Sequence, residues 1–195
     1  SKPDINKQDL KRVEKCIESG WLTHGPNTKK FEKIFCNFTK SKFSTTVSNC
    51  TSGLHLACIA LGLKKGDEVI VPAQTHAATA HAAELTGAKV VFADVDPING
   101  NILVSEISKK INKKTKYIII VHMTGYPCEM DKIVNICKKK NIKLIEDCAH
   151  AIGTKFKNKH AGTFGSCGVF SFYPTKQITT GEGGILITNK KDLIK

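Results

Sequence analysis

Seven short apolar runs, at 43–47, 68–71, 90–92, 117–121, 143–145, 169–172 and 185–187, alternate along the chain mostly with stretches of helical periodicity. Strand-type and helix-type patterns in alternation are the signature of parallel strands joined by crossover helices. The pattern predicts a three-layer α/β/α sandwich around a mostly parallel seven-stranded sheet. With 195 residues, 41% of them hydrophobic, the chain can bury one substantial core. Phe31, Ile34, Phe35 and Phe38 keep the i, i+3, i+4, i+7 spacing of an amphipathic helix, and Leu10, Val13 and Ile17 keep the same period ahead of Gly20, a residue suited to a C-cap. Ligands of such sheets gather beyond the carboxyl ends of the strands. The residues that follow the runs are therefore the ones to read for chemistry.

The most specific of these is Lys176. It stands alone in a turn between the β-type runs 168–172 and 184–188, with Gly181, Gly183 and Gly184 directly behind it. A lysine that only solubilises a surface needs no such setting. One that forms an imine with a carbonyl cofactor does, because its amine must be held in place and partly desolvated. Upstream, Ile142, Leu144 and Ile145 read as a short buried strand that ends in Asp147. An acid there either caps a helix or faces water, or else faces a pyridine nitrogen and keeps it protonated. A lysine imine paired with such an acid is the mark of a pyridoxal phosphate site. A third element, Ser48-Asn49-Cys50-Thr51-Ser52-Gly53, follows the run 43–47 and opens an apolar helix. Strand, small polar turn and helix N-terminus form a phosphate cradle, to which Thr51 and Ser52 can add hydroxyl donors.

Together with these three elements, the stretches Gly20-Trp21-Leu22-Thr23-His24-Gly25-Pro26, Val71-Pro72-Ala73-Gln74-Thr75-His76-Ala77-Ala78-Thr79-Ala80, Phe92-Ala93-Asp94-Val95-Asp96 and Val121-His122-Met123-Thr124-Gly125-Tyr126-Pro127 carry a resemblance. The chain resembles the sugar aminotransferases of the DegT/DnrJ/EryC1/StrS family, of the aspartate-aminotransferase fold type, from near its N-terminus to its last residue. The resemblance implies that Lys176 is the imine lysine and that Asp147 is the partner of the pyridine nitrogen. It implies that His150 contacts the cofactor's phenolic oxygen, that Ser171 joins Thr51 and Ser52 on the phosphate, and that His76 stacks on the ring. Thr23, His24 and His122 fall at positions compatible either with the substrate side or with turn and core roles. The resemblance further implies a homodimer with a shared site, a nucleotide-linked keto-sugar as substrate and glutamate as amino donor. Some relatives carry histidine in place of the lysine and remove a sugar hydroxyl instead. Lys176 favours transamination over that dehydratase chemistry.

The formal net charge of +13 raises the question of nucleic acid. Of the 30 basic residues only Arg12 is an arginine, the lysines are scattered, and they form no aromatic-interleaved basic strip. Nucleic acid is therefore not an expected partner. The eight cysteines form no CxxC pair and, with the histidines, no zinc pattern, so buried free thiols and no metal are expected. No signal peptide and no run of membrane-span length is present, so the reading is cytoplasmic, without membrane attachment. The last residues, 189–195, read as the opening of a helix that is cut off. By the resemblance, the chain is expected to be the N-terminal segment plus the cofactor-binding large domain, without the family's smaller C-terminal domain. A non-catalytic truncated fragment that keeps the fold is the competing reading.

Overall fold

A computed structural model describes residues 2–193. In chain order the elements are α1 (Lys7–Glu18), α2 (Pro26–Thr39), β1 (Phe43–Val47), α3 (Cys50–Ala60), β2 (Glu68–Pro72), α4 (Ala77–Glu84) and β3 (Lys89–Ala93). They continue with α5 (Val104–Lys110), β4 (Thr115–Val121), α6 (Met130–Lys140), β5 (Lys143–Asp147), β6 (Lys155–Phe156), β7 (Lys159–His160), β8 (Cys167–Ser171) and β9 (Gly184–Thr188). Seven strands form one sheet in the order β1-β9-β8-β5-β4-β2-β3. Only β9 runs against the rest, pairing antiparallel with both β1 and β8. The expected mostly parallel sheet is therefore present. The small β6–β7 hairpin is an addition, too short and too polar to announce itself as a strand pair.

The period of two in the strands sorts the core into two faces. Val69, Val71, Ile119, Ile145, Val169 and Leu186 pack under α3 and α4, against Leu54, Ala57, Ala82 and Ala83. Ile70, Ile118, Ile120 and Leu144 point the other way, onto Ile107 of α5 and Met130 and Ile133 of α6. Phe170, Ile185 and Ile187 extend this second face to Phe35 of α2. Burying each such side chain stabilises the fold by about 1.5–3 kcal/mol before entropy is counted. The stripe on α2 is only partly used: Phe31 and Phe35 meet Phe172 edge-on, while Ile34 and Phe38 remain about half exposed. Helix α1 is held by a capping box between Asn6 and Asp9 and buries none of its residues. Its stripe of Leu10, Val13 and Ile17 instead borders a groove of about 1210 Å³ shared with the 174–181 segment. After β9 the chain makes a 3-10 turn, Lys191–Leu193, and the rest of the helix expected there lies outside the described residues.

One face of the sheet is further organised by Glu146. Its carboxylate, wholly buried, accepts the N–H groups of Gly162, Phe164 and Gly165 at 2.6–2.7 Å and a ring nitrogen of His122 at 3.2 Å. These bonds fold the 160–166 loop back against β5 and β8. Gly168 meets that loop so closely that a Cβ on it would lie 2.3 Å from the Gly162 Cα and 2.7 Å from its carbonyl oxygen. Backbone cannot swing aside as a side chain can. Gly168→Ala is therefore expected to destabilise the chain by about 1–3 kcal/mol, as read by urea unfolding. An unchanged midpoint would show that the loop yields freely.

Candidate active site

All strands but β9 end on the same edge of the sheet, and α3 and α4 each begin where a strand, β1 or β2, has just ended. Both helix N-termini thus face one opening. There, on the α3/α4 face, lies a cavity of about 540 Å³ whose wall includes Thr51, His76, Asp147, His150, Ser171 and Lys176. Six of the residues selected in the sequence for a single site are thus brought to one place. Asn49, Cys50, Thr75, Met123, Tyr173 and Glu182 complete much of the wall.

Asp147 forms the floor. It is the last residue of β5 and shares the face of Ile145, whereas Glu146 points to the opposite face. Only 4% of it is exposed. Its Oδ2 accepts the Thr79 hydroxyl at 2.8 Å, and its Oδ1 accepts the Ala149 N–H at 3.1 Å with the Cys50 thiol 3.9 Å away. Burial pushes the carboxyl above its ordinary value, opposed by the Thr79 and Ala149 bonds and, more weakly, by the electrostatic influence of His150 and Lys176. Among the described residues no cation lies within ion-pair distance of it.

Around this floor the other groups converge. His150, in the turn after β5, carries a buried Nδ1 with no hydrogen-bond partner among the described residues. Burial and then the Lys176 charge push its imidazole below the ordinary value, so it is neutral near pH 7. Lys176 follows β8 in a turn in which its N–H bonds the Tyr173 carbonyl at 2.9 Å. Gln177 beside it donates to the His150 carbonyl, tying the two loops together. Ser171 closes β8 with its hydroxyl accepting the Tyr173 N–H at 3.3 Å. His76 is the N-cap of α4, its Nδ1 accepting the Ala78 N–H at 3.2 Å with the ring exposed to the cavity.

The α3 N-terminus supplies the anion seat. Asn49 caps it by accepting the Ser52 N–H at 2.8 Å, so the donors this helix end offers are the Cys50 and Thr51 N–H groups and the Thr51 hydroxyl. The Ser52 side chain points to Ser48, 3.2 Å away, and is not part of the cavity wall. Gly184 sets the height of the seat. A Cβ there would lie 2.8 Å from the Asn49 carbonyl carbon and 2.9 Å from the Cys50 nitrogen, so only glycine lets β9 lie against this end of α3. An orphaned ring nitrogen, an uncompensated buried carboxylate, an amine and an N-terminal helix seat fit a ligand that carries an aromatic nitrogen, a carbonyl and a phosphate.

The three substrate-side candidates lie elsewhere. His122 is fully buried on the other face of the sheet, its Nδ1 accepting the Cys128 N–H at 3.2 Å, which leaves Nε2 as the proton donor to Glu146. Thr23 and His24 are exposed, and the His24 ring meets the Thr46 hydroxyl at 3.3 Å beside β1. The His122, Glu146 and Cys148 donors lie close enough together to suggest a metal centre. The Glu146 carboxylate is already occupied by backbone N–H groups, and the arrangement is a structural hydrogen-bond network.

Two residues beside the floor were not singled out in the sequence: Thr75, in the cavity wall, and Thr79, buried behind it. The signal available for them was a pair of threonines four positions apart across the start of a helix that opens after a strand. Cys50 and Tyr173 left none, being ordinary core and loop residues by type.

The Asp147 environment has a consequence for stability. A folded-state carboxyl raised above its unfolded value near 3.8 contributes its full stability only below that value and loses it as pH rises through the folded pKa. At neutral pH the charge is therefore a burden on the ligand-free fold. Asp147→Asn, whose amide can donate to a reoriented Thr79 hydroxyl, is expected to raise the melting temperature at pH 7, with the gain fading toward pH 4. A melting temperature unchanged or lower at pH 7 would contradict it. His150 and His160, both lowered by burial, act in the opposite window, so stability falls as pH drops below about 6.5.

Comparison with known proteins follows the same lines. A model of the DegT/DnrJ/EryC1/StrS aminotransferase family matches residues 3–195. The chain is 45% identical over 192 residues to a GDP-perosamine synthase of Escherichia coli O157:H7, covering 98% of this chain and 53% of that protein. The X-ray structure of an aminotransferase from Psychrobacter cryohalolentis superposes with a TM-score of 0.97 at 36% identity, over 99% of this chain and 50% of that one. An E. coli GDP-4-keto-6-deoxy-D-mannose-3-dehydratase, solved with bound hydrated PLP, gives 0.94 at 32% identity, over 99% and 51%. The chain spans about half the length of the relatives it matches. With fold, cavity and sequence in agreement over that span, the chain belongs to the DegT/DnrJ/EryC1/StrS aminotransferase family.

Proposed function

We propose that the complete gene product containing this chain is a pyridoxal-phosphate-dependent aminotransferase that converts a nucleotide-linked keto-sugar to an amino-sugar, with glutamate as amino donor. The observation that carries this reading is the meeting, in one cavity, of the Lys176 amine, the buried Asp147 carboxylate and the α3 N-terminus. Pyridoxal phosphate, when bound, supplies a carbonyl that condenses with amines and a pyridinium ring that takes up an electron pair. Asp147 would hold the ring nitrogen, His150 the phenolic oxygen, and His76 one face of the ring. The Cys50 and Thr51 N–H groups, with the Thr51 and Ser171 hydroxyls, would hold the phosphate.

In this arrangement Lys176 has two tasks. Its amine would hold the cofactor through its carbonyl and, when free, would serve as the base that carries a proton at the reacting carbon. Among the described residues no carboxylate forms an ion pair with its Nζ, which leaves the amine free for both. A lysine at this position, where the dehydratases of the family carry histidine, favours transamination over loss of a hydroxyl. The keto-sugar substrate is supported by the GDP-perosamine synthase relative. The reading includes a homodimer with a shared site, which rests on the family resemblance. A cytoplasmic location is supported by eight cysteines that are all free thiols. Among the described residues no helix is long and apolar enough to cross a membrane.

Borohydride reduction of the complete gene product loaded with pyridoxal phosphate is expected to fix the cofactor to Lys176, as read by peptide mapping. Label on another lysine, or on none, would return the protein to the non-catalytic reading. Asp147→Asn is expected to keep cofactor bound while slowing the amination half-reaction by a factor on the order of 10²–10³, mainly in kcat, because the interaction strengthens as charge develops on the ring. A rate equal to the parent's in single-turnover measurements would reduce Asp147 to a capping role.

A further inference from the structure

We propose that Thr79, backed by Thr75, is a positioning residue for the reaction: it fixes the orientation of the Asp147 carboxylate and holds it in charged form toward the cofactor's ring nitrogen. The inference rests on the functional reading above and concerns two residues that the reading itself does not use.

The geometry sets the direction of every proton in the chain. The Thr79 Oγ1 lies 2.8 Å from the Asp147 Oδ2, and the Thr75 Oγ1 lies 2.7 Å from the Thr79 Oγ1. A carboxylate can only accept, so the single Thr79 hydrogen is committed to Asp147. Thr75 must then donate to Thr79. Two aligned O–H dipoles end on one buried oxygen, and each polarises the other. Thr79 lies in the first turn of α4 and Thr75 just ahead of the His76 N-cap, four residues earlier, so the two hydroxyls meet across the start of the helix. Thr79 is fully buried and Thr75 stands at the cavity wall. A threonine in a helix commonly turns its hydroxyl back onto its own backbone. Here it is turned onto the sheet.

The need for such an array follows from what surrounds Asp147. Cys50 from α3 and Cys148 from the same strand end are thiols that offer no positive charge, and both are pushed upward by burial. His150 is lowered by burial and Lys176 stands in the loop beyond β8. Burial pushes the carboxyl toward its neutral form, and the Thr79 bond is the largest influence acting against it. A neutral Asp147 could not keep a pyridine nitrogen protonated. Fixing Oδ2 and leaving the other oxygen to the Ala149 N–H also settles the plane of the carboxylate.

The test compares Thr79→Val, which removes the hydroxyl at nearly constant shape, with Thr79→Ser, which restores it. In the cofactor-free complete gene product, the Asp147 carboxyl is followed by NMR with isotope-labelled aspartate, its signal assigned by its loss in Asp147→Asn. Thr79→Val is expected to move the titration upward and Thr79→Ser to return it. In the loaded protein Thr79→Val is expected to slow the amination half-reaction about ten- to a hundredfold, the size of one charge-assisted hydrogen bond, with little change in KM. Should Thr79→Val not fold, Thr75→Val is expected to give a smaller shift in the same direction. A folded Thr79→Val or Thr75→Val protein with an unmoved Asp147 titration overturns the proposal. A shifted titration together with a half-reaction indifferent to Asp147→Asn would leave the hydroxyl array standing and overturn the functional reading instead.

Discussion

The burial of one carboxylate, with no cation in contact among the described residues, is the constraint around which this molecule is arranged. Asp147 sits at the end of a central strand, with hydroxyl, amide and thiol donors around it. A buried charge of this kind is costly to a fold, and several parts of the architecture exist in a form that tolerates it. The N-termini of α3 and α4 both point toward the same opening, and α4 delivers the hydroxyl that opposes the effect of burial. In the proposed reading, the site is maintained at some expense of stability and a cationic ring nitrogen would complete it. This is the physical sense in which the site is prepared for its ligand.

The neighbouring residue shows the contrast. Glu146 is equally buried, one position earlier and on the opposite face, yet its carboxylate is saturated by three backbone N–H groups and His122. Such a group rigidifies its surroundings and has no capacity left for a ligand. Adjacent acids on one strand thus take a structural role and a cavity-facing position, separated only by the period of two. The difference lies in the donors each face supplies.

Most of the fold was legible in the sequence, because the seven apolar runs and the helical periods between them are local signals. Most strands extend those runs by a residue or two, while the order of the strands in the sheet was not among the expectations, because local periodicity does not fix it. The reversal of β9 was not legible, since a strand of Gly184, Ile185, Leu186, Ile187 and Thr188 looks the same in either direction. In the site, Lys176, Asp147 and Thr51 could be chosen because each follows a strand or opens a helix, whereas His150, Ser171 and His76 came from the family resemblance. Ser52 could not be separated from Thr51 by type alone; the helix phase turns its side chain to Ser48. His122 was ambiguous for a related reason. A histidine at the end of β4 can face either side, and only the face it shares with Glu146 makes it structural. Thr79 escaped notice because its partner lies 68 residues away.

The central claim is that Asp147 holds its charge against a protonated ring nitrogen. The most direct measurement is the NMR shift of isotope-labelled nitrogen in the pyridine ring of bound pyridoxal phosphate, followed from pH 6 to 9 in the parent and in Asp147→Asn. The account predicts a nitrogen that stays protonated across the range in the parent and is unprotonated in the variant. A nitrogen unprotonated in the parent, or protonated equally in both, would contradict it.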